Sequence, residues 1–437
     1  MTNGIDTQTA REIINRLKAG TSPIDHVKHL NVGNERWYEK AGEYLDELQN
    51  SRDSLVRFIK GYYGDGKTHF LGMLRSVAFD KNWIVSYVTA EKTPLNRFDR
   101  VYSEIVRNMT LPPSAGIVDW ISNQDVRGAR APLGAMFSKI YRETYRPGDI
   151  TGLKKPSVVE FLKTKSGEFS YGEDIEESVG KAIRGYTNAV ISRDIATIQE
   201  ISSWLEEGSI KRITKLGINR PIDRGMSRDA LRSISLIAQR AGIGGIMVLF
   251  DEAERIMQQS KSVRTSSYGI IRDLLDNADK QGGMRSSMMY VAATPEMFSD
   301  GKGFPANDAL MSRLEITERF AMSKYTDYRS VIIDLTKTPL THEMLVRLAE
   351  HIRGVHAVAR NWIPEEKITG EAIEETVCQI EQGIFQISKP RMLAASIVIL
   401  LDTIEQNPEA DVFELINEVL REVHSTLPKE PETETWE

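Results

Sequence analysis

The residues best suited by type and spacing to chemistry are Gly61-Tyr62-Tyr63-Gly64-Asp65-Gly66-Lys67-Thr68, which fit G-x-x-x-x-G-K-[ST] at every defined position. Glycines let a backbone curl so that successive N–H groups point inward at phosphate oxygens. Lys67 would then reach the β- and γ-phosphates and the Thr68 hydroxyl would ligate Mg2+. A second group is Asp251-Glu252, at the end of the apolar run Ile246-Met247-Val248-Leu249-Phe250. Five apolar residues leading into two acids have the form of a Walker B strand, a buried parallel strand whose carboxylates emerge at its C-terminal end. Asp251 would hold the Mg2+ shell, directly or through water, and Glu252 would polarise an attacking water. A third apolar run, SMMYVAA, leads into Thr294, whose hydroxyl suits contact with a γ-phosphate or that water. The implied ligand is a nucleoside triphosphate, read as ATP, with Mg2+. The competing readings are a chance glycine turn, acids that merely cap a strand, and a Thr-Pro turn.

These groups work only if strands and helices hold them. Leu55–Lys60 reads as a short apolar strand feeding the loop, and His69–Leu74 as the helix leaving it, with Phe70, Leu71, Met73 and Leu74 to bury. That helix would add its free N–H groups and positive dipole end to the phosphate site. Upstream, residues 6–49 read as helices, and His29, Leu30, Val32 and Gly33 are candidates to cover the nucleotide base. Trp83–Thr89 reads as the second strand. TPLNRFDRVYSEIVRNM reads as a helix with Phe98, Tyr102, Ile105 and Met109 on one face. Residues 227–245 read as a helix ending at glycines, and 331–335 as a last core strand. Arg313 precedes that strand, where a ring-forming ATPase offers a finger to its neighbour; Arg319 is the alternative, and an ordinary surface arginine the plain one. Residues 341–359 and 388–404 read as helices, with Pro390 in the first turn of the second. Arg391 sits where a helical lid would bring a cation to the nucleotide.

The resulting fold class is α/β: a P-loop parallel-sheet core over 51–110 and 226–336, after an N-terminal helical segment at 1–50. A helical insertion is expected at 111–225, with helical patterns at 131–145, 157–165, 180–191 and 193–207. A C-terminal helical lid is expected at 337–427 and a disordered acidic tail at 428–437.

Composition sets the outer bounds. The chain has 437 residues, 41% hydrophobic and 27% charged, as in soluble globular proteins. No apolar run approaches the roughly 20 residues that cross a bilayer, and the N-terminus lacks signal-peptide regions. The single cysteine, Cys378, excludes an internal disulfide and fits a reducing cytoplasm. The seven histidines show no metal-ligand spacing. His342, His351 and His356 share an expected helix and read as surface or core residues. Net charge is −6, yet residues 111–240 carry 20 Lys+Arg against 16 Asp+Glu, so a local basic surface or a solvated helical face is expected there.

With these residues in view, the chain resembles AAA+ P-loop ATPases, nearest the origin-recognition-like branch, and more specifically the ATP-binding family of BREX bacteriophage-defence systems, whose small ATPase member its length suits. The resemblance rests on TAREIINRLKAGTSP, VGNE, VRFIKGYYGDGKTHFLGMLR, TPLNRFDRVYSEIVRNM, IMVLFDEAE, AATPEMF and KPRMLAA. It implies a cytoplasmic ATPase, a homo-oligomer by analogy with ring ATPases, working on phage DNA with defence proteins such as a helicase and a methyltransferase. After Arg391 a winged helix of the origin-binding kind would barely fit, so any surface for double-stranded DNA is expected in the insertion or around a ring. The rival readings are an ATP-gated scaffold with negligible turnover, and a DNA-loading ATPase outside defence.

Overall fold

The computed structural model describes residues 4–90, 95–110, 163–164, 167–168, 170–192, 194–207, 213–240, 242–276, 283–319, 326–383 and 387–427. Two compact units emerge, one from Met1–Glu39, Ile59–Ser76 and Ile333–Glu437, the other from Lys40–Phe58 and Val77–Ile332. The strands are β1 (Ser54–Lys60), β2 (Ile84–Thr89), β3 (Met109–Thr110), β4 (Ile246–Asp251), β5 (Ser287–Ala293) and β6 (Ile332–Asp334). The helices through the first half are α1 (Thr7–Lys18), α2 (Glu35–Ser51), α3 (Lys67–Asp80), α4 (Phe98–Arg107), α5 (Glu177–Ser192), α6 (Ile195–Glu207) and α7 (Ser227–Arg240). After them come α8 (Lys261–Asp276), α9 (Glu296–Ser299), α10 (Asp308–Arg319), α11 (His342–Arg360), α12 (Gly370–Gln382), α13 (Lys389–Gln406) and α14 (Val412–Thr426).

Among the described residues the strands form one sheet, ordered β3-β2-β4-β5-β1-β6. β2, β4 and β5 are parallel neighbours, and every residue of β4 and β5 is buried. A parallel strand covered on both faces reads as an unbroken apolar run rather than an alternation, which is why both were legible. The architecture is α/β with a mostly parallel sheet, as in P-loop NTPases. Phe58 of β1 meets Phe298 and Phe304 edge-on, at centroid distances of 6.3 and 5.4 Å. Arg57 is buried on the same strand; its Nε donates to Ser330 O at 3.1 Å and its Nη2 to Tyr328 O at 3.0 Å. These bonds pin β1 to the segment that leads into β6.

Two expectations need correction. Met109 is not the last face of a helix: α4 stops at Arg107, capped by Asn108. Met109 and Thr110 pair antiparallel with Ser86 and Val85. Open strand edges leave backbone groups unpaired, and this short strand satisfies them on β2 while Met109 stays buried. Trp83 precedes β2 rather than starting it, and is fully buried. The patterns expected at 131–145 and 157–165, apart from 163–164, and the tail from 428 lie outside the described residues.

The helical unit is built on apolar stripes. α1 starts at Asp6, whose side chain accepts from Gln8 N and Thr9 N. It buries Ala10, Ile13, Ile14 and Leu17. A 12-residue helix is marginal alone. Its three large side chains contribute roughly 1.5–3 kcal/mol each, before entropy, so packing rather than propensity holds it. The core they join includes Leu345, Ile352, Ile373, Leu393 and Leu400. At its centre is a polar knot. Asp402 of α13 accepts from Lys18 Nζ at 2.7 Å, Arg360 Nη2 at 3.0 Å and His356 Nε2 at 3.2 Å, while Trp362 Nε1 donates to His356 Nδ1 at 2.9 Å. Against the upward push of burial, the bonds from His356, Lys18 and Arg360 hold the Asp402 carboxyl well below the usual carboxylate range.

Candidate nucleotide-binding site

The glycine loop leaves β1 at Gly61 and enters α3 at Lys67. Gly64 (φ +84°) and Gly66 (φ +87°) take the left-handed backbone that the tight curl requires. Lys67 is 7% exposed, and its ammonium donates to Gly61 O at 2.8 Å and Tyr62 O at 2.9 Å. It also lies 5.1 Å from the Tyr63 ring centroid. Two of its three protons thus hold the lysine against its own loop, and the third is the one an anion would take. Asp65 Oδ2 accepts from Tyr62 N at 2.7 Å, so an internal carboxylate sits on one loop amide. Burial pushes the Asp65 carboxyl up, opposed by that amide and by Lys67. Tyr62 itself is exposed. At the root of the loop Lys60 pairs with Asp334 at 3.3 Å.

Thr68 lies in the first turn of α3 beside Lys67. His69 Nε2 lies 3.4 Å from Asn31 Oδ1, and desolvation lowers its imidazole to about 4, so the ring is neutral at neutral pH. The segment upstream of the loop therefore packs against the helix that follows it. Val32 is 7% exposed and belongs to the helical core with Leu30. Gly72 allows a still closer approach: a Cβ there would stand 2.9 Å from Ile24 O. Arg391, in the first turn of α13, lies against Gly20; a Cβ on Gly20 would meet its Nε at 3.3 Å.

In the sheet-bearing unit, Asp251 is the last residue of β4 and is 3% exposed. Its Oδ2 accepts from Tyr87 Oη at 2.5 Å and its Oδ1 from Glu252 N at 2.9 Å. A buried carboxylate with this support presents hard oxygen ligands of the kind Mg2+ takes. Glu252 has φ 57° and ψ 37°, a left-handed conformation that costs a non-glycine residue about 1–2 kcal/mol. Its carboxylate lies 3.7 Å from Arg255 Nε. Such strain concentrates at functional sites. Thr294 follows β5 directly and is 4% exposed. Because β4 and β5 are parallel, with Phe250 opposite Val291, Asp251, Glu252 and Thr294 lie at the C-terminal end of these two strands. Arg313 of α10 is engaged within its own unit: Nη2 donates to Asp276 Oδ2 at 2.7 Å, Nε to Oδ1, and Nη1 to Ala309 O. Arg319 ends α10, and its side chain lies outside the described residues.

Sequence reasoning missed Tyr87 and Asn31. Tyr87 pairs in register with Leu249, two residues before Asp251, a diagonal that an aromatic side chain reaches. Only the register reveals it. Asn31 carries no motif signal at all.

The glycine loop, with left-handed turns between a buried strand and a helix and a buried lysine folded onto it, has the form of a phosphate-binding loop, and in the other unit a buried parallel strand ends in two acids. The family model for the BREX system ATP-binding protein BrxC/D matches residues 5–123 and 167–419, and the chain belongs to that family. No curated protein matches it. Among solved structures, domain III of the replication initiation protein DnaA from Thermotoga maritima aligns over 92% of this chain and 98% of that one, at 13% identity and a TM-score of 0.39. That likeness is too low to carry an argument. No helix among the described residues is long and apolar enough to cross a membrane.

Proposed function

We propose that the chain is a Mg2+-dependent ATP hydrolase of AAA+ type. It would serve as an oligomeric subunit of a BREX-type defence system and pass ATP-driven change to partner proteins or to DNA. In this reading Lys67 and the loop amides neutralise β/γ-phosphate charge, Thr68 and Asp251 hold Mg2+, and Glu252 with Thr294 orients water. Arg313 from a neighbouring copy and Arg391 from the C-terminal helices complete the charge stabilisation. Within residues 111–225 the described helices α5 and α6 act as part of an insertion, and residues 337–427 act as a lid. The observation that carries the reading is the ordered acid pair: Asp251 is buried and held by Tyr87, with Glu252 next to it on a strained backbone. Family membership supports ATP binding in a defence system.

The test is equilibrium ATP binding and turnover by wild type and Lys67→Ala. Binding with turnover in the wild type, both lost in the variant, is expected. ATP binding unaffected by Lys67→Ala would sink the proposal. A second reading, an ATP-gated scaffold with negligible turnover, is favoured by Arg255, which lies 3.7 Å from the Glu252 carboxylate and could restrain it. It is distinguished by ATP binding that assembles a complex without phosphate release.

A further inference from the structure

We propose that His342, Glu374 and Cys378 form a binding site for a divalent transition-metal ion, with zinc the best fit. The three side chains come from two helices. His342 is the first residue of α11, and Glu374 and Cys378 stand one turn apart on α12. Positions i and i+4 share a helix face, and Glu381, at i+7 from Glu374, continues it. That face meets the start of α11, bringing an imidazole nitrogen, a carboxylate oxygen and the Cys378 Sγ within 4.8 Å of one another. Bond lengths of about 2.0–2.3 Å to N, O and S set tetrahedral ligand atoms roughly 3.3–3.7 Å apart. Rotamer adjustment of side chains that remain solvent-accessible sets these spacings, widening the 2.6 Å contact of His342 Nε2 with Glu374 Oε1; His342 is 36% and Glu374 52% exposed.

The contacts of His342 point to a cation. Its Nδ1 lies 2.7 Å from Glu381 Oε2 and its Nε2 lies 2.6 Å from Glu374 Oε1. A neutral imidazole has a single N–H, so contacts this short on both nitrogens need a second proton, which a metal ion bound at Nε2 would replace while moving the Glu374 oxygen outward. With Nδ1–H given to Glu381, the Nε2 lone pair faces Glu374. This is the outer-carboxylate arrangement that orients histidine ligands at zinc. A mixed nitrogen, oxygen and sulfur set disfavours Mg2+ and Ca2+ and suits zinc and its first-row neighbours. Three protein ligands leave a fourth position for water. Sequence spacing hides the site because 32 residues of chain separate His342 from Glu374, and the helix pairing alone brings them together.

The site is independent of the nucleotide reading, and the chain's single cysteine supplies a specific reporter. The full chain is stripped with chelator and titrated with Co2+, then with competing Zn2+. The expected result is a thiolate-to-cobalt charge-transfer band that saturates at one ion per chain and is erased by Zn2+. A Co2+ ion held at the phosphate site gives no such band, since no cysteine lies there. Cys378→Ser abolishes the band. His342→Ala and Glu374→Gln each weaken Zn2+ binding at least tenfold, and Glu381→Gln weakens it about 10–100-fold. Circular dichroism confirms that each variant is folded. A wild-type protein with no thiolate band, or a band that persists with unchanged affinity in His342→Ala, overturns the proposal and leaves a carboxylate–imidazolium cluster only.

Discussion

Replacing Asp402 with Ala removes the acceptor at the centre of the helical unit, and the cost follows from its three partners. His356 is 0% exposed, and its Nδ1 is occupied by the Trp362 indole N–H, so Nε2 carries the proton and donates to Asp402. Stranding that buried donor costs about 1–3 kcal/mol. Lys18 is 51% and Arg360 36% exposed, so each pair, screened by solvent, contributes under about 1 kcal/mol. The sum, about 3 kcal/mol, sits at the low end for removing one partner of a buried pair. It corresponds to about two decades in an opening equilibrium. Amide hydrogen exchange of α11 and α13 reads this locally, without assuming two-state unfolding of the whole chain. Exchange about a hundredfold faster in Asp402→Ala, against less than tenfold in Lys18→Ala, is expected. A change below fivefold in Asp402→Ala would mean that Asp402 does not hold α11 and α13 together. The pH dependence has a fixed sign. Because the folded Asp402 carboxyl is held below its ordinary value of 3.8, its contribution is present above about pH 4 and is lost as pH falls further.

Three other perturbations follow from the same contacts. Tyr87→Phe removes the hydroxyl donor to Asp251 Oδ2, a bond to a charged acceptor worth about 1.5–3 kcal/mol. The Mg2+ midpoint for ATP binding should rise about tenfold or more, and an unchanged midpoint contradicts the role given to Tyr87. Gly72→Ala sets a Cβ 2.9 Å from Ile24 O, so overpacking should cost about 1–3 kcal/mol; a wild-type urea midpoint would show that the approach is looser than described. Arg313→Ala breaks a partly exposed ion pair with Asp276 and should cost under about 1 kcal/mol of stability. If Arg313 also serves a neighbouring copy, turnover drops about 10³-fold or more, and unchanged turnover removes it from the site.

How much could be read without coordinates depended on whether the signal was local. The glycine loop and the apolar runs of β4 and β5 announce themselves because a buried parallel strand needs no alternation and a phosphate loop has fixed glycine positions. The start of α13, at Lys389-Pro390, was likewise legible from proline chemistry. Met109 misled because it keeps helical spacing with Phe98, Tyr102 and Ile105 yet is buried through an edge strand instead. Tyr87 at Asp251, Asn31 at His69 and His342 at Cys378 are pairings between distant segments. No periodicity or spacing encodes them. The engagement of Arg313 by Asp276 was hidden for the same reason.

If Asp251 and Glu252 serve one ATP hydrolysis site, replacing the second acid must separate binding from turnover. ATP turnover is measured for wild type and Glu252→Gln, with and without duplex DNA, while mass is followed in parallel. The variant is expected to bind ATP, lose turnover and accumulate as a larger ATP-bound assembly. Hydrolysis by Glu252→Gln at the wild-type rate would contradict that assignment.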